Sequence, residues 1–300
     1  MKQVLRRVTA ASVLACASGL AMAGPVILGG DDLTDHGSRI AGVNQEGWLY
    51  IEKAVSNVLS GVTRAGTINF DIVALGAAAN PTFTGSNAGG AIGSAANVLG
   101  KSVLYVDGAA AINTFFADLA SGAVNVNMLW FSGTGAQNNL DATEGAALTA
   151  NAAAINGFGA SGGGIMAHGS GTTAYGWLSA LLPGLTAVGN CNSTGATLTV
   201  AGQAAFPGLS NSDIDANAGP CHSSFSGNFG GLTTLGLDGG GLSYIIGGGA
   251  GTVIQCGQPG QPACPTNVPE PGSLPLALLA GLGLAIPSLR RRLVSDKSNR

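Results

Sequence analysis

At 300 residues the chain is long enough for one sizeable domain or two small ones. Its 50 glycines exceed the usual share of roughly 7% more than twofold, but no Gly-X-Y period accompanies them, which excludes collagen. The formal charge of −3 conceals an acidic body: within 24–268 only Arg39, Lys53, Arg64 and Lys101 stand against 13 acids, a net of −9 that repels phosphate backbones and excludes nucleic acid as a partner.

The first 23 residues, MKQVLRRVTAASVLACASGLAMA, combine a basic start (Lys2, Arg6, Arg7), an apolar stretch and Ala21-Met22-Ala23 as a small-residue cleavage site. This is the pattern of a secretory signal peptide, with Gly24 as the first mature residue. The body then alternates strands with helices. PVILGGDD is an apolar strand ending in glycines and acids, and EGWLYIEKAVSNVL places Trp48, Ile51, Val55, Val58 and Leu59 at helical spacing. NFDIVALG is a second strand, AIGSAANVLG a short helix and SVLYVDG a third strand. AAINTFFADLASG is a helix closed by Gly122, a residue type that readily takes the left-handed cap conformation. VNMLWFSGTG forms a fourth strand, and DATEGAALTANAAAINGFGAS an alanine-rich helix capped by Asp141 or Thr143. GGGIMAHGSG is a fifth strand and AYGWLSALLPGL a further helical segment.

Five such alternations predict an α/β fold, a doubly wound and mostly parallel sheet with helices on both faces, because parallel neighbours need crossovers. From about residue 186 the pattern changes. ATLTVAG, GLTTLGLD and GLSYIIGGG read as short strands, the last two a hairpin across DGGG, and they form a β-rich C-terminal extension of one domain over 24–255. The segment LDATEGAALTANAAAINGFGASGGGIMAHG is a helix, a glycine turn and a strand running into a tight turn. It resembles the class I glutamine amidotransferase-like (flavodoxin-like) superfamily. That resemblance implies a nucleophilic cysteine at the final turn, but Ala167-His168-Gly169 stands there, and the mature chain has no cysteine before Cys191. It therefore implies the fold without the amidotransferase chemistry.

Cysteine use agrees with export. With Cys16 in the leader, Cys191, Cys221, Cys256 and Cys264 remain, an even number suited to disulfides in an oxidising compartment. Proximity pairs Cys191 with Cys221 and Cys256 with Cys264, although four cysteines permit three connectivities. The second pair brackets GQPGQPA in a Pro/Gly linker over 256–267. Val268-Pro269-Glu270-Pro271 follows, and then an uncharged run over 273–289 that meets the lower limit for a membrane helix. Arg290, Arg291 and Arg292 come next and hold the tail on the cytoplasmic side. The segment 268–300 resembles the PEP-CTERM sorting signal of Gram-negative bacteria, a tail also known as an ice-binding-protein C-terminal domain. The resemblance implies an exosortase as partner, processing near Pro269-Glu270-Pro271, transient anchoring in the inner membrane and delivery to the cell surface or extracellular matrix. It also implies an association with biofilm and exopolysaccharide.

In doubly wound sheets, ligands bind where the strands end. Those ends carry Asp31, Asp32 and His36 after the first strand and Asp107 after the third. Ser132 and Thr134 follow the fourth strand, His168 and Ser170 the fifth, and His222 could join this binding rim from the extension. Two imidazoles with Asp31 or Asp32 could hold zinc and activate a water. Ser132 or Ser170 could serve as nucleophile, with His168 as base and a rim aspartate such as Asp32 as orienter. The plainer expectation is that the aspartates cap turns while the histidines hydrogen-bond surface loops. His-x-x-x-His, Gly-x-Ser-x-Gly and repeated calcium loops are absent, and the SGTG at Ser132 and GSGT at Gly169 lack a P-loop lysine. Neither a metal nor a cofactor is therefore assigned. The chain reads as an exported surface or matrix protein with exopolysaccharide as candidate partner and no catalytic motif. The alternatives are an extracellular metal- or His/Asp-dependent hydrolase and a catalytically dead amidotransferase-like adhesin or scaffold.

Overall fold

A computed structural model of the protein describes residues 24–249, apart from 86, 135–139 and 217–218. The leader, the linker 256–267 with Cys256 and Cys264, and the tail 268–300 lie outside the described residues. Strand β1 (Val26–Gly29) is buried at every position, as an apolar run covered on both faces must be. A hairpin of β2 (Gly37–Ile40) and β3 (Val43–Glu46) leads into α1 (Gly47–Ser60). The alternation continues through β4 (Phe70–Leu75), α2 (Ala88–Leu99), β5 (Val103–Val106), α3 (Ala109–Ser121) and β6 (Val126–Phe131). Helices α4 (Ala142–Ala150) and α5 (Ala152–Ala160) precede β7 (Gly164–Ala167). Two short helices, α6 (Gly171–Tyr175) and α7 (Leu178–Leu181), lead to β8 (Leu185–Val188) and β9 (Thr197–Leu198). Helices α8 (Val200–Ala205) and α9 (Asn211–Ile214) come before β10 (Ser224–Gly227), β11 (Thr233–Leu237) and β12 (Ser243–Gly248).

Eight strands form one sheet in the order β5-β4-β6-β7-β1-β12-β11-β9. The five from β5 to β1 are parallel, while β12, β11 and β9 add antiparallel beyond β1. Strands β4 to β7 keep the flavodoxin-like order, and β1 occupies the place of the fifth strand in that arrangement. Alternation along each strand divides the core into two layers. Ile27, Ile72, Trp130 and Met166 pack with Val55 of α1 and Ile92 of α2. Leu28, Val73, Leu129 and Ile165 pack with Phe115 of α3, Leu148 of α4 and Phe158 of α5 on the opposite face. The expected doubly wound α/β fold is the observed one. The expected hairpin across DGGG is also present, with β11 and β12 antiparallel and the Asp238 N–H donating to the Leu242 carbonyl at 2.9 Å.

Several boundaries follow from caps. Gly122 closes α3 in the left-handed region at φ 78°. Asp141, rather than Thr143, caps α4: its carboxylate accepts the Thr143 and Glu144 N–H groups while Glu144 reaches back to the Asp141 N–H. The alanine-rich stretch expected as one helix breaks at Asn151, whose backbone leaves helical geometry and whose amide donates to the Ala147 carbonyl at 2.8 Å. ATLTVAG, expected as a strand, yields only the two residues of β9. Thr199 Oγ1 accepts the Gly202 N–H at 3.0 Å and so starts α8 instead. The β2–β3 hairpin, turning through positive φ at Ala41 and Gly42, had no predicted counterpart. Among the described residues no helix is long and apolar enough to cross a membrane. Asn87 caps α2 by accepting the Gly90 N–H at 2.7 Å. Asn87→Ala is expected to lower stability by about 1 kcal/mol in urea unfolding, with the m-value unchanged.

Candidate functional site

The site is built on the turn that leaves β1. Gly29 has no Cβ because one there would overlap Oδ2 of Asp31, whose carboxylate folds back over the strand end. A Cβ on Gly30 would overlap the Ser223 carbonyl, so the segment before β10 lies directly against this turn. Three backbone hydrogen bonds hold that segment: Asp32 N–H to the Pro220 carbonyl at 2.9 Å, and the His222 and Ser223 N–H groups to the Gly30 carbonyl at 2.7 and 2.9 Å. On the other side, the Gly169 N–H donates to the Asp31 carbonyl at 2.7 Å. Cys221 forms an isolated antiparallel bridge with Asp31 and is disulfide-bonded to Cys191, as proximity predicted, with 5.8 Å between the Cα atoms.

Asp31 and His168 form a pair with no solvent exposure, Nδ1 lying 2.7 Å from Oδ1. The same oxygen accepts the Leu33 N–H at 3.1 Å. The His168 ring is boxed by Trp130, at 5.4 Å between centroids, and by Tyr50 of α1, at 6.2 Å. Burial, and next the charge of Asp31, pushes the Tyr50 hydroxyl well above its usual range. Four buried polar atoms in this group have no hydrogen-bond partner: Asp31 Oδ2, His168 Nε2, the Tyr50 hydroxyl and Trp130 Nε1. Each such atom costs on the order of 1–3 kcal/mol.

The two serines expected as nucleophiles are engaged elsewhere. Ser132 Oγ donates to the Gly76 carbonyl at 2.6 Å, and Ser170 Oγ shares a 3.1 Å hydrogen bond with Thr134 Oγ1, which also accepts the Ser170 N–H at 3.0 Å. Thr134 and Ser170 thus tie the ends of β6 and β7 together beside His168. Asp107 does not join the rim. It is exposed at the end of β5, four strand spacings from β1, or about 19 Å.

Asp32 organises the solvent-facing half of the site. His222 Nε2 lies 2.8 Å from its Oδ2, and His36 Nε2 lies 3.2 Å from its Oδ1 in an ion-pair contact not aligned as a hydrogen bond. All three histidines therefore reach the Asp31–Asp32 turn, but not one common point: His168 turns inward, while His36 and His222 approach opposite oxygens of Asp32. This corrects the expectation of two imidazoles converging with an aspartate on zinc. Among the described residues, the only His/Cys/Asp/Glu group with ligand atoms within 4.8 Å of one another is Cys191, Cys221 and Asp238. Its sulfurs are joined to each other, and the Asp238 carboxylate accepts the N–H groups of Asn192, Gly240 and Leu242. No family model, curated protein or solved structure matches the chain.

Sequence reasoning placed the aspartates and histidines together but missed Tyr50, Trp130 and Ser223, which are buried around them. Helical spacing marked Trp48 and Ile51 as core, yet nothing local showed that Tyr50 would meet a histidine. Burial pushes the Asp32 carboxyl up, but the contacts with His222 and His36 outweigh it and leave it below its usual 3.8. Contact with Asp32 raises both imidazoles above 6.5, against burial. The folded state thus holds the histidine protons more tightly than the unfolded chain. That stabilisation is complete below pH 6.5 and is lost as the pH climbs through the raised values; at the acid end it is lost as the pH falls through the lowered value of Asp32. Wild type should exceed Asp32→Asn in Tm most at about pH 5–6, with the gap narrowing by about pH 8. A gap independent of pH would show that the contacts carry no charge.

Proposed function

We propose that the protein is an exported, exosortase-sorted component of the cell surface or extracellular matrix, and that it acts by binding rather than by turnover. The observation that most supports this reading is the Cys191–Cys221 disulfide. It ties Cys221, which bridges to Asp31, to Cys191 after β8, and so anchors the segment bearing His222 beside the Asp31–Asp32 turn once the chain is in an oxidising compartment. The leader and the Pro269-Glu270-Pro271 tail then act as addresses, with the apolar run as a temporary anchor and Arg290, Arg291 and Arg292 as its stop. Binding is favoured over hydrolysis because the Asp31–His168 pair is sealed from solvent and the hydroxyls of Ser132 and Ser170 are engaged elsewhere.

Intact-mass analysis of the product purified from its native host tests this. The expected species begins at Gly24, ends near Pro269-Glu270-Pro271 and has Cys191 and Cys221 oxidised, and an exosortase-deficient host retains the full tail in the membrane fraction. A wild-type product still carrying Arg300, or with both thiols reduced, would overturn the reading.

A further inference from the structure

Helix α1 carries a polar stripe at positions i, i+3, i+4 and i+7: Lys53, Ser56, Asn57 and Ser60. Two clefts meet along it, and a third adjoins the second at Lys101. The first, about 330 Å³, lies between this stripe and Ala204, Ala205 and Pro207 at the end of α8. The second, about 310 Å³, shares Ser56 and Ser60 with the first and extends past Leu59 and Leu99 to Lys101. The third, about 290 Å³, shares Lys101 with the second and runs between α2 and β5, where Asn97, Phe83 and Tyr105 line it. Each is at or below the small end of the range for small-molecule sites, roughly 300–1,000 Å³. Joined through shared walls, they suit a chain-like ligand that crosses α1 and α2 rather than one compact molecule.

The lining chemistry narrows the class. Asn57 is 8% exposed, and its Nδ2 is committed to the Ala205 carbonyl at 3.0 Å, yet its Oδ1 has no partner. A buried acceptor on the wall of an open cleft calls for a donor from outside, such as a hydroxyl. Farther along, the rings of Phe83 and Tyr105 close on Gly93 of α2, where a Cβ would crowd both. Arg39 covers the Phe83 ring at 5.0 Å and is held by the Asn97 side chain at 2.8 Å. The two lysines are already paired, Lys53 with Glu52 at 2.9 Å and Lys101 with Asp71 at 3.4 Å. The groove therefore offers hydrogen-bonding groups and apolar strips, with Arg39, held by the neutral Asn97, as its one cation outside an ion pair among the described residues, on a body whose net −9 repels polyanions.

We propose that this groove binds a linear, uncharged polysaccharide, with ring hydroxyls meeting Asn57, Ser56 and Asn97 and the C–H faces of the sugars meeting Phe83 and Tyr105. The proposal deepens the reading of the protein as a matrix component, which supplies the setting in which such a polymer is met. The processed chain purified from its host is titrated by calorimetry with hexamers of β-1,4-glucan, β-1,3-glucan, α-1,4-glucan and β-1,4-mannan, with a mannuronate hexamer as the charged arm. At least one neutral hexamer is expected to bind with a Kd of about 1 mM or tighter, and its trimer about tenfold more weakly. Ser56→Arg, at an exposed position, should weaken binding about tenfold with Tm unchanged; Phe83→Ala should weaken it about tenfold and also lower Tm, because the ring packs against the core; Ala117→Ser on the exposed side of α3, across the sheet, should leave both unchanged. Binding of the mannuronate hexamer alone, binding of none of the hexamers, or wild-type affinity in both groove variants would overturn the proposal. A correctly processed chain that binds no hexamer defeats the groove and leaves the sorting reading standing; a chain that binds glycan but keeps Arg300 does the reverse.

Discussion

The four-residue turn Gly29–Asp32 is the constraint on which the rest of the site depends. Its two glycines let the Asp31 carboxylate fold over the strand end and let the 220–223 segment lie flush against the backbone. Hydrogen bonds then clamp it from both sides, from Gly169 after β7 and from His222 and Ser223 before β10. β1 is also where the sheet changes sense, parallel to β7 and antiparallel to β12. A residue placed after β1 therefore meets both the doubly wound half of the fold and its β-rich extension. His168 lies 137 positions from Asp31 and His222 lies 190 from Asp32, yet the sheet order brings the two histidines to adjacent aspartates.

The turn separates two electrostatic environments within one residue step. Asp31 and His168 are removed from water, where the loss of either partner leaves a buried polar group without its hydrogen bond. Asp32, His36 and His222 remain partly in solvent, where their mutual contacts depend on pH. The inner pair orients and seals; the outer cluster fastens the loop after β1 to the extension. Neither arrangement presents an activated nucleophile among the described residues: the hydroxyls of Ser132 and Ser170 are engaged elsewhere.

Much of the fold was legible from local pattern. The five apolar runs became the five parallel strands, Gly122 ended its helix, and DGGG turned its hairpin. His168, expected on a surface loop, is instead fully buried, because the period of two in GIMAH carries past the strand end and puts it on the same face as Met166, toward α1. Strand order was not legible, because periodicity says which face a residue takes and not which strand lies beside it. Asp107 and Asp31 looked equivalent as strand-end acids, yet β5 and β1 are opposite members of the parallel set. Thr199 misled for a different reason: a β-branched residue inside an apolar run favours a strand, but its hydroxyl capped a helix when the Gly202 N–H was in reach. The groove was hidden for a third reason, since the polar stripe on α1 could be read as a solvated face until α8, α2 and β5 were placed around it.

Hydrogen exchange on the Cys191→Ser/Cys221→Ser double variant, resolved to peptides, tests most directly whether the extension holds the β1 turn in place. The account predicts that peptides covering 28–36 and 219–225 lose protection together, and by more than those covering β4 and β6. Wild-type protection at 28–36 in the variant, or an equal loss across every strand of the sheet, would contradict it.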